Sequence, residues 1–245
     1  MNSDIGPLLG AWDFNPGEVI VRRVKGKDGM EKIQLRVDLG ILQMNAEGRP
    51  DGKLPMGHPT WLEYYQQKAA QVTDDPFQLK PEDFAKLQQE LIQFHHRYIC
   101  LFHLEDFPAV LRDTMRNLDV MQFVRQHCEN ADLIWTLEQF KPQLLMMRGR
   151  ALESDRLASD DWPGAITELE DEMENIRTTY ADNNRTELAE QSAELKSLEA
   201  RLVFLRSKKP LTERQKLESA LEDAVRREDY EEAARVRDAI KNLQA

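Results

Sequence analysis

Residues 211–245 read LTERQKLESALEDAVRREDYEEAARVRDAIKNLQA. Leu217, Leu221, Ala224 and Val225 recur at spacings of four and three, the pattern of one helix face. Thr212, followed three residues on by Gln215, fits a capping box that starts this helix. The run Arg226–Asp229 interrupts the apolar stripe, and Tyr230, Ala233, Ala234, Arg237, Ile240 and Leu243 resume it. Asp229 suits the cap of a second helix, with Glu231 and Glu232 favourably placed in its first turn. Small residues at Ala233 and Ala234 let two antiparallel helices approach closely, and Tyr230 is expected to close the end of the hairpin. Two helices this short cannot bury a self-sufficient core. The hairpin must pack on its own chain, on a second copy or on a partner.

The run Leu217, Leu221, Ala224, Val225, Glu228, Asp229, Tyr230, Glu231, Ala233, Ala234, Arg237, Asp238, Ile240, Leu243 resembles the UVR motif. That helical hairpin is shared by the B and C subunits of bacterial nucleotide-excision repair and is found in regulators of Clp-type proteases. The resemblance implies protein–protein contact, often with another copy of the same hairpin, and no catalysis. It makes Glu228, Tyr230, Glu231, Arg237 and Asp238 the expected partner contacts, with Ala233 and Ala234 as the packing seam. The helicase and nuclease motifs of the repair subunits are absent from the sequence, so the resemblance carries no repair chemistry with it.

Composition narrows the remaining choices. The chain has 245 residues, enough for one large or two modest domains. Lys and Arg number 33 against 44 Asp and Glu, a formal net charge of −11. Phosphate binding calls for clustered Lys and Arg, so direct nucleic-acid binding is disfavoured. Cys100 and Cys128 sit in apolar helical patterns without a spaced framework, which fits a reducing compartment. The opening residues MNSDIGPLLGAWDF lack the basic-then-apolar pattern of a signal peptide, and no stretch is apolar enough to span a membrane. A cytoplasmic protein without a cofactor is expected.

The predicted architecture is mainly α. Residues 1–60 hold a β-hairpin, with strands at Glu18–Val24 and Glu31–Leu39 joined by KGKDG, and Gly40–Met44 extending the second strand past a bulge. A Gly/Pro-rich loop follows, Gly48–Pro59, read as a crossover in preference to a loop presenting Arg49, Asp51, Lys53 and His58. Residues 61–182 form a helical body with helices from Thr60 and from Pro81 to His103. Two segments there, LEDFPAVLRDTMRNL and ASDDWPGAITELEDEM, share an order of acid, acid, aromatic, proline and small residue, and REDYEEAA in the tail is a looser copy. This order resembles tetratricopeptide-type repeats, although the spacing departs from a thirty-four-residue period. Residues 183–208 place Leu188, Leu195 and Leu202 seven apart, with Leu198 and Leu205 between heptads, a seam for a second chain or for the body. SKKP then separates the tail hairpin, residues 211–245.

Two further readings compete with the interaction protein. His96, Cys100 and His103 lie at i, i+4 and i+7 on one helix face, the spacing of a metal-dependent enzyme or sensor, with His127 or Cys128 as a fourth ligand. The absence of a paired-cysteine motif and the apolar neighbours favour packing, so no metal is assigned. The KGK turn with Arg22 and Arg23 offers phosphate contacts for a nucleic-acid-repair accessory protein. No nucleophile elbow or dinucleotide fingerprint is present. A non-catalytic adaptor, docking a protein partner or forming a homodimer through the tail, is the leading expectation.

Overall fold

The computed structural model describes residues 4–72, 75–211 and 213–242, and the chain divides into two compact units between Leu202 and Val203. Thr212 and Leu243, assigned above to the cap and stripe of the tail hairpin, lie outside the described residues.

The first unit opens with a short helix, α1 (Gly6–Gly10), and an antiparallel sheet of β1 (Ile20–Lys25), β2 (Glu31–Val37) and β3 (Gly40–Asn45), ordered β1-β2-β3. The segment from Gly40 does not prolong the second strand. The chain reverses at Asp38 and Leu39, and β3 pairs back on β2 with Met44 opposite Ile33. Reversal puts Met44 on the buried face of Ile33 and gives a marginal two-stranded ribbon a third strand. The other face is polar at its centre, between Ile20, Val24 and Ile41. Arg22 donates to Gln34 at 2.8 Å, Gln34 donates to Gln43 at 2.8 Å, and the Arg22 guanidinium covers the Trp12 ring.

The helical body follows as α2 (Trp61–Ala70), α3 (Pro81–His103), α4 (Phe107–His127), α5 (Ala131–Glu138), α6 (Lys141–Ala158) and α7 (Trp162–Asp182). Thr60 caps α2 by accepting the Glu63 N–H at 3.2 Å, and α3 spans the predicted range. Helices α3 and α4 pack together, as do α6 and α7, and α4 lies against α6. One apolar core gathers Leu62, Tyr65, Leu87, Leu91, Val120, Val124 and Leu144 from four of these helices. A second joins the sheet to the helices through Ile33, Met44, Cys100, Leu101, Val110 and Ala151.

Between the cores runs a buried ionic frame. Arg97, fully buried, forks onto Asp113 at 2.7 and 2.8 Å and donates to the backbone carbonyls of Asn45 and Gly48 at 3.0 and 2.7 Å. One guanidinium thus ties α3 to α4 and both to the end of β3. Glu90, also fully buried, accepts the Trp61 N–H at 2.9 Å and pairs with Arg116 and Arg49. The ring of Phe94 lies between the Arg97 and Arg116 guanidiniums, at 4.8 and 4.2 Å from its centroid.

The second unit contains α10 (Glu213–Arg226) and α11 (Tyr230–Asn242), while α8 (Thr186–Ala189) and α9 (Ala193–Lys208) lead to it. The heptad seam breaks at Glu190–Ser192, so Leu188 belongs to α8. Leu195, Leu198 and Leu202 are buried in the single chain, and Arg201 of α9 pairs with buried Glu153 of α6 at 2.5 Å. The seam therefore serves the body and is not a free edge for a second chain.

The recurring acid–acid–aromatic order proves to be a turn. Glu105, Asp160 and Glu228 each adopt a left-handed backbone, with φ of 56°, 56° and 57°. The next residue, Asp106, Asp161 or Asp229, sends its N–H back five residues at 2.9 Å to Leu101, Arg156 or Ala224. The same aspartate then caps the following helix by accepting from Ala109, Gly164 or Glu232 at 3.3, 2.9 and 3.1 Å. One residue closes a helix and opens the next. The tetratricopeptide-type resemblance is not supported. The helices flanking these turns are 23 and 21, 18 and 21, and 14 and 13 residues long, so no unit of fixed length repeats.

Candidate functional site

In the tail, α10 and α11 pack as a hairpin about Ala224, Ala233 and Val236, which are buried, with Leu217, Leu221 and Ile240 half-buried beside them. Alanines at the crossing let the backbones close without room for larger side chains. The seam differs from the predicted stripe. Val236 takes the place assigned to Ala234 and Arg237, because positions 233, 236 and 240 complete one face of a 3.6-residue helix and 234 and 237 lie beside it. Ala234, Arg237 and Asp238 are exposed. Ala233 is inside the seam and supports the hairpin from within. Tyr230, expected to close the hairpin end, instead stands 70% exposed, and Val225 is 53% exposed. Glu228 and Glu231 are exposed as well.

Around these apolar side chains the charges pair locally: Arg214 with Glu218, Arg226 with Asp223, Arg235 with Glu232 and Arg237 with Asp238. Each exposed pair is worth at most about 1 kcal/mol and leaves its members available to others. Two short amphipathic helices thus close on an alanine seam and leave Val225 and Tyr230 exposed.

Residues 212–245 match the UvrB/uvrC motif. The UVR hairpin thus occupies the two helices just described. No curated protein matches the chain, and no solved structure does. The motif is a protein-interaction module, and an interaction role fits the chain at that level. Among the described residues, no helix is long and apolar enough to cross a membrane.

The helix-face trio is not brought together as a site. Cys100 is fully buried in the sheet-facing core, His96 is half-buried and His103 is exposed. Among the described residues no group of three His, Cys, Asp or Glu side chains is placed to hold a metal ion. Burial pushes the Cys100 thiol up to about 12. The thiolate is the reactive form, so iodoacetamide at pH 8 should label Cys128 and spare Cys100 until denaturant is added. Equal labelling in the native protein would contradict this placement.

Sequence reasoning passed over His95, whose Nδ1 lies 2.6 Å from the Tyr98 hydroxyl oxygen. Burial, and then the neighbouring His96 charge, push its pKa down to about 4. The unfolded chain takes up a proton below about pH 6.5 that the folded ring resists. Stability should therefore be full above pH 6.5 and fall as pH drops toward 4. His95→Gln should flatten that slope, and an NMR titration of the ring carbons should place its midpoint near 4. A midpoint near 6.5 would mean a solvated ring.

The residues of the phosphate-contact reading are engaged elsewhere. Arg23 pairs with Glu31 and Asp106, both at 2.5 Å, and Arg22 is held by Gln34 and Trp12. Lys25 and Lys27 remain exposed at the β1–β2 turn. In the Gly48–Pro59 loop, Arg49 is buried and paired with Glu90 and Asp51, while Lys53 is exposed and His58 packs edge-on to Tyr64.

Proposed function

We propose that this chain is a non-catalytic adaptor that docks a protein partner, or a second copy of itself, through the α10–α11 hairpin. The observation that carries the reading is the placement of Val225 and Tyr230 outside the alanine seam of a hairpin matching the UvrB/uvrC motif. Tyrosine is among the residues that most often anchor protein interfaces, because it buries a large rigid surface and keeps a polar tip. Glu228, Tyr230, Glu231, Ala234, Arg237 and Asp238 form the contact surface, and Ala233 holds its shape. The sheet and helical body serve as the scaffold. A reducing cytoplasmic setting accords with the buried, unpaired Cys100.

Affinity capture from native lysate tests this, with the full chain compared against a chain ending at Lys209, which retains all of α9. A protein held by the full chain and lost by the shorter one, or a dimer that becomes a monomer, supports the reading. Identical capture and identical mass for both chains would remove it.

A further inference from the structure

We propose that the outer edge of β3 takes up an extended acidic segment of a partner protein as a further strand of the sheet. The backbone decides which groups are open. Ala46 donates its N–H to the Glu31 carbonyl at 3.1 Å, so the alternate pairs Met44–Ile33 and Leu42–Leu35 carry the ladder hydrogen bonds. Asn45, Gln43 and Ile41 then turn their N–H and C=O groups away from β2. At Asn45 the chain satisfies them itself: the N–H donates to the Pro50 carbonyl at 2.8 Å, and the carbonyl accepts from Arg97 at 3.0 Å. At Gln43 and Ile41 these groups have no partner among the described residues. The two sheet edges also differ in charge. β1 carries Arg22, Arg23 and Lys25, and charged edges discourage a further strand. Gly40–Gln43 carries no charge.

Side chains on the polar face select an acid. Arg22, Gln34 and Gln43 stand opposite one another across the three strands. An arginine can only donate, so its 2.8 Å contact fixes Gln34 Oε1 as the acceptor. Gln34 Nε2 then donates to Gln43 Oε1, also at 2.8 Å, and the Gln43 Nε2 donor is left unmet at the edge. The next strand meets it with an acceptor. Positive charge on the same face makes that acceptor a carboxylate. Lys32 is paired with Asp28 at 2.7 Å, but Arg22 rests on Gln34 and the Trp12 ring, and Arg36 rests on the carbonyls of Trp12, Val37, Asp38 and Gly40. Among the described residues neither guanidinium has a carboxylate within ion-pair distance. A carboxylate opposite Gln43 accepts from Nε2 and is drawn by both arginines.

The helix-facing side asks for an apolar neighbour. A cavity of about 180 Å³ opens there beside β3, lined by Leu42, Met44, Pro50, Gln93 and His96 among others. It is small for a free organic ligand and suits one aliphatic side chain. Leu42 in its wall is 37% exposed. Successive side chains of an extended segment face opposite ways, so an acid next to a leucine or valine fits both sides at once. The β3 edge of a second copy has no acid to set opposite Gln43, which favours a partner segment.

The isotope-labelled full chain is titrated with the capped heptapeptide Ser-Thr-Leu-Glu-Val-Thr-Ser and with its counterpart carrying lysine in place of glutamate. Saturable shifts of the Ile41 and Gln43 backbone amides and of the Gln43 side-chain amide are expected, with slower hydrogen exchange at both backbone amides. The lysine peptide should bind at least about tenfold more weakly, equivalent to about 1.4 kcal/mol. Gln43→Glu keeps an acceptor for Gln34 and should reverse the preference between the two peptides. Gln43→Pro removes an N–H that faces away from β2, a place where a strand tolerates proline, and should weaken the glutamate peptide several-fold while native amide dispersion is retained. No shift at about 5 mM peptide, equal binding of the two peptides, or binding that neither variant alters overturns the proposal. So does slow exchange at Ile41 and Gln43 in a peptide-free chain of dimeric mass, because a second copy then holds the edge. The edge belongs to the first unit, so its failure leaves the hairpin reading standing.

Discussion

Asp113→Ala is expected to cost about 3–5 kcal/mol, because it leaves the Arg97 guanidinium charged and fully buried without its counterion. For a body of this size that is a fall in Tm of roughly 6–20 °C. The reason lies in what Arg97 joins. Its fork satisfies both Asp113 oxygens, and its third nitrogen holds the carbonyls of Asn45 and Gly48. Removing Asp113 therefore also loosens the exit from β3 and the loop that follows. Replacing both ionic partners by apolar residues, Arg97→Met with Asp113→Leu, should recover part of the loss, since neither buried charge then stands alone. Recovery should be incomplete, because the two carbonyls lose their donor. Thermal melts of the two single variants and the double variant check this. A near-neutral Asp113→Ala would show that water reaches Arg97.

The second large effect is expected at the tail. Tyr230→Ala removes an exposed ring that makes no contribution to the alanine seam, so the helical circular dichroism of the chain should be unchanged. If Tyr230 anchors the partner, truncation should cost about 2 kcal/mol or more of binding, roughly a 30-fold loss of affinity. Val225→Lys should act in the same direction by placing a charge in the apolar contact. Ala233→Leu should behave differently. It overpacks the seam and destabilises the hairpin by about 1–3 kcal/mol, so any loss of binding would come with a loss of helicity. Titration calorimetry with the captured partner, read beside circular dichroism, separates surface from seam.

Much of the helical body could be read from the sequence because its signals are local. Pro81 with Glu82 and Asp83 starts α3, and an apolar stripe carries it to His103. The three Asp-capped turns are legible as a shared string in which an aspartate caps the second helix of a hairpin, and only the tetratricopeptide-type resemblance drawn from their recurrence fails. A left-handed residue followed by an aspartate is a solution to joining two helices, and it recurs wherever that problem arises, with no repeat architecture needed. The third strand was missed because Asp38–Leu39 carries no glycine or asparagine to mark a reversal.

The tail hairpin is legible as an element, and Ala233 and Ile240 lie where its stripe places them, while Val236 stands inside in place of Ala234 and Arg237. With alanine at both 233 and 234, hydrophobicity does not say which one turns inward, and Val236 settles it only once α10 is in place.

The central claim is that α10 and α11 form the docking surface, and hydrogen exchange on the full chain with and without the captured partner addresses it most directly. The account predicts that amides of 213–242 gain protection on binding, with the largest change around Val225–Tyr230, and that amides of α3 and α4 exchange as before. Protection confined to the first unit, with the hairpin amides unchanged, would contradict it.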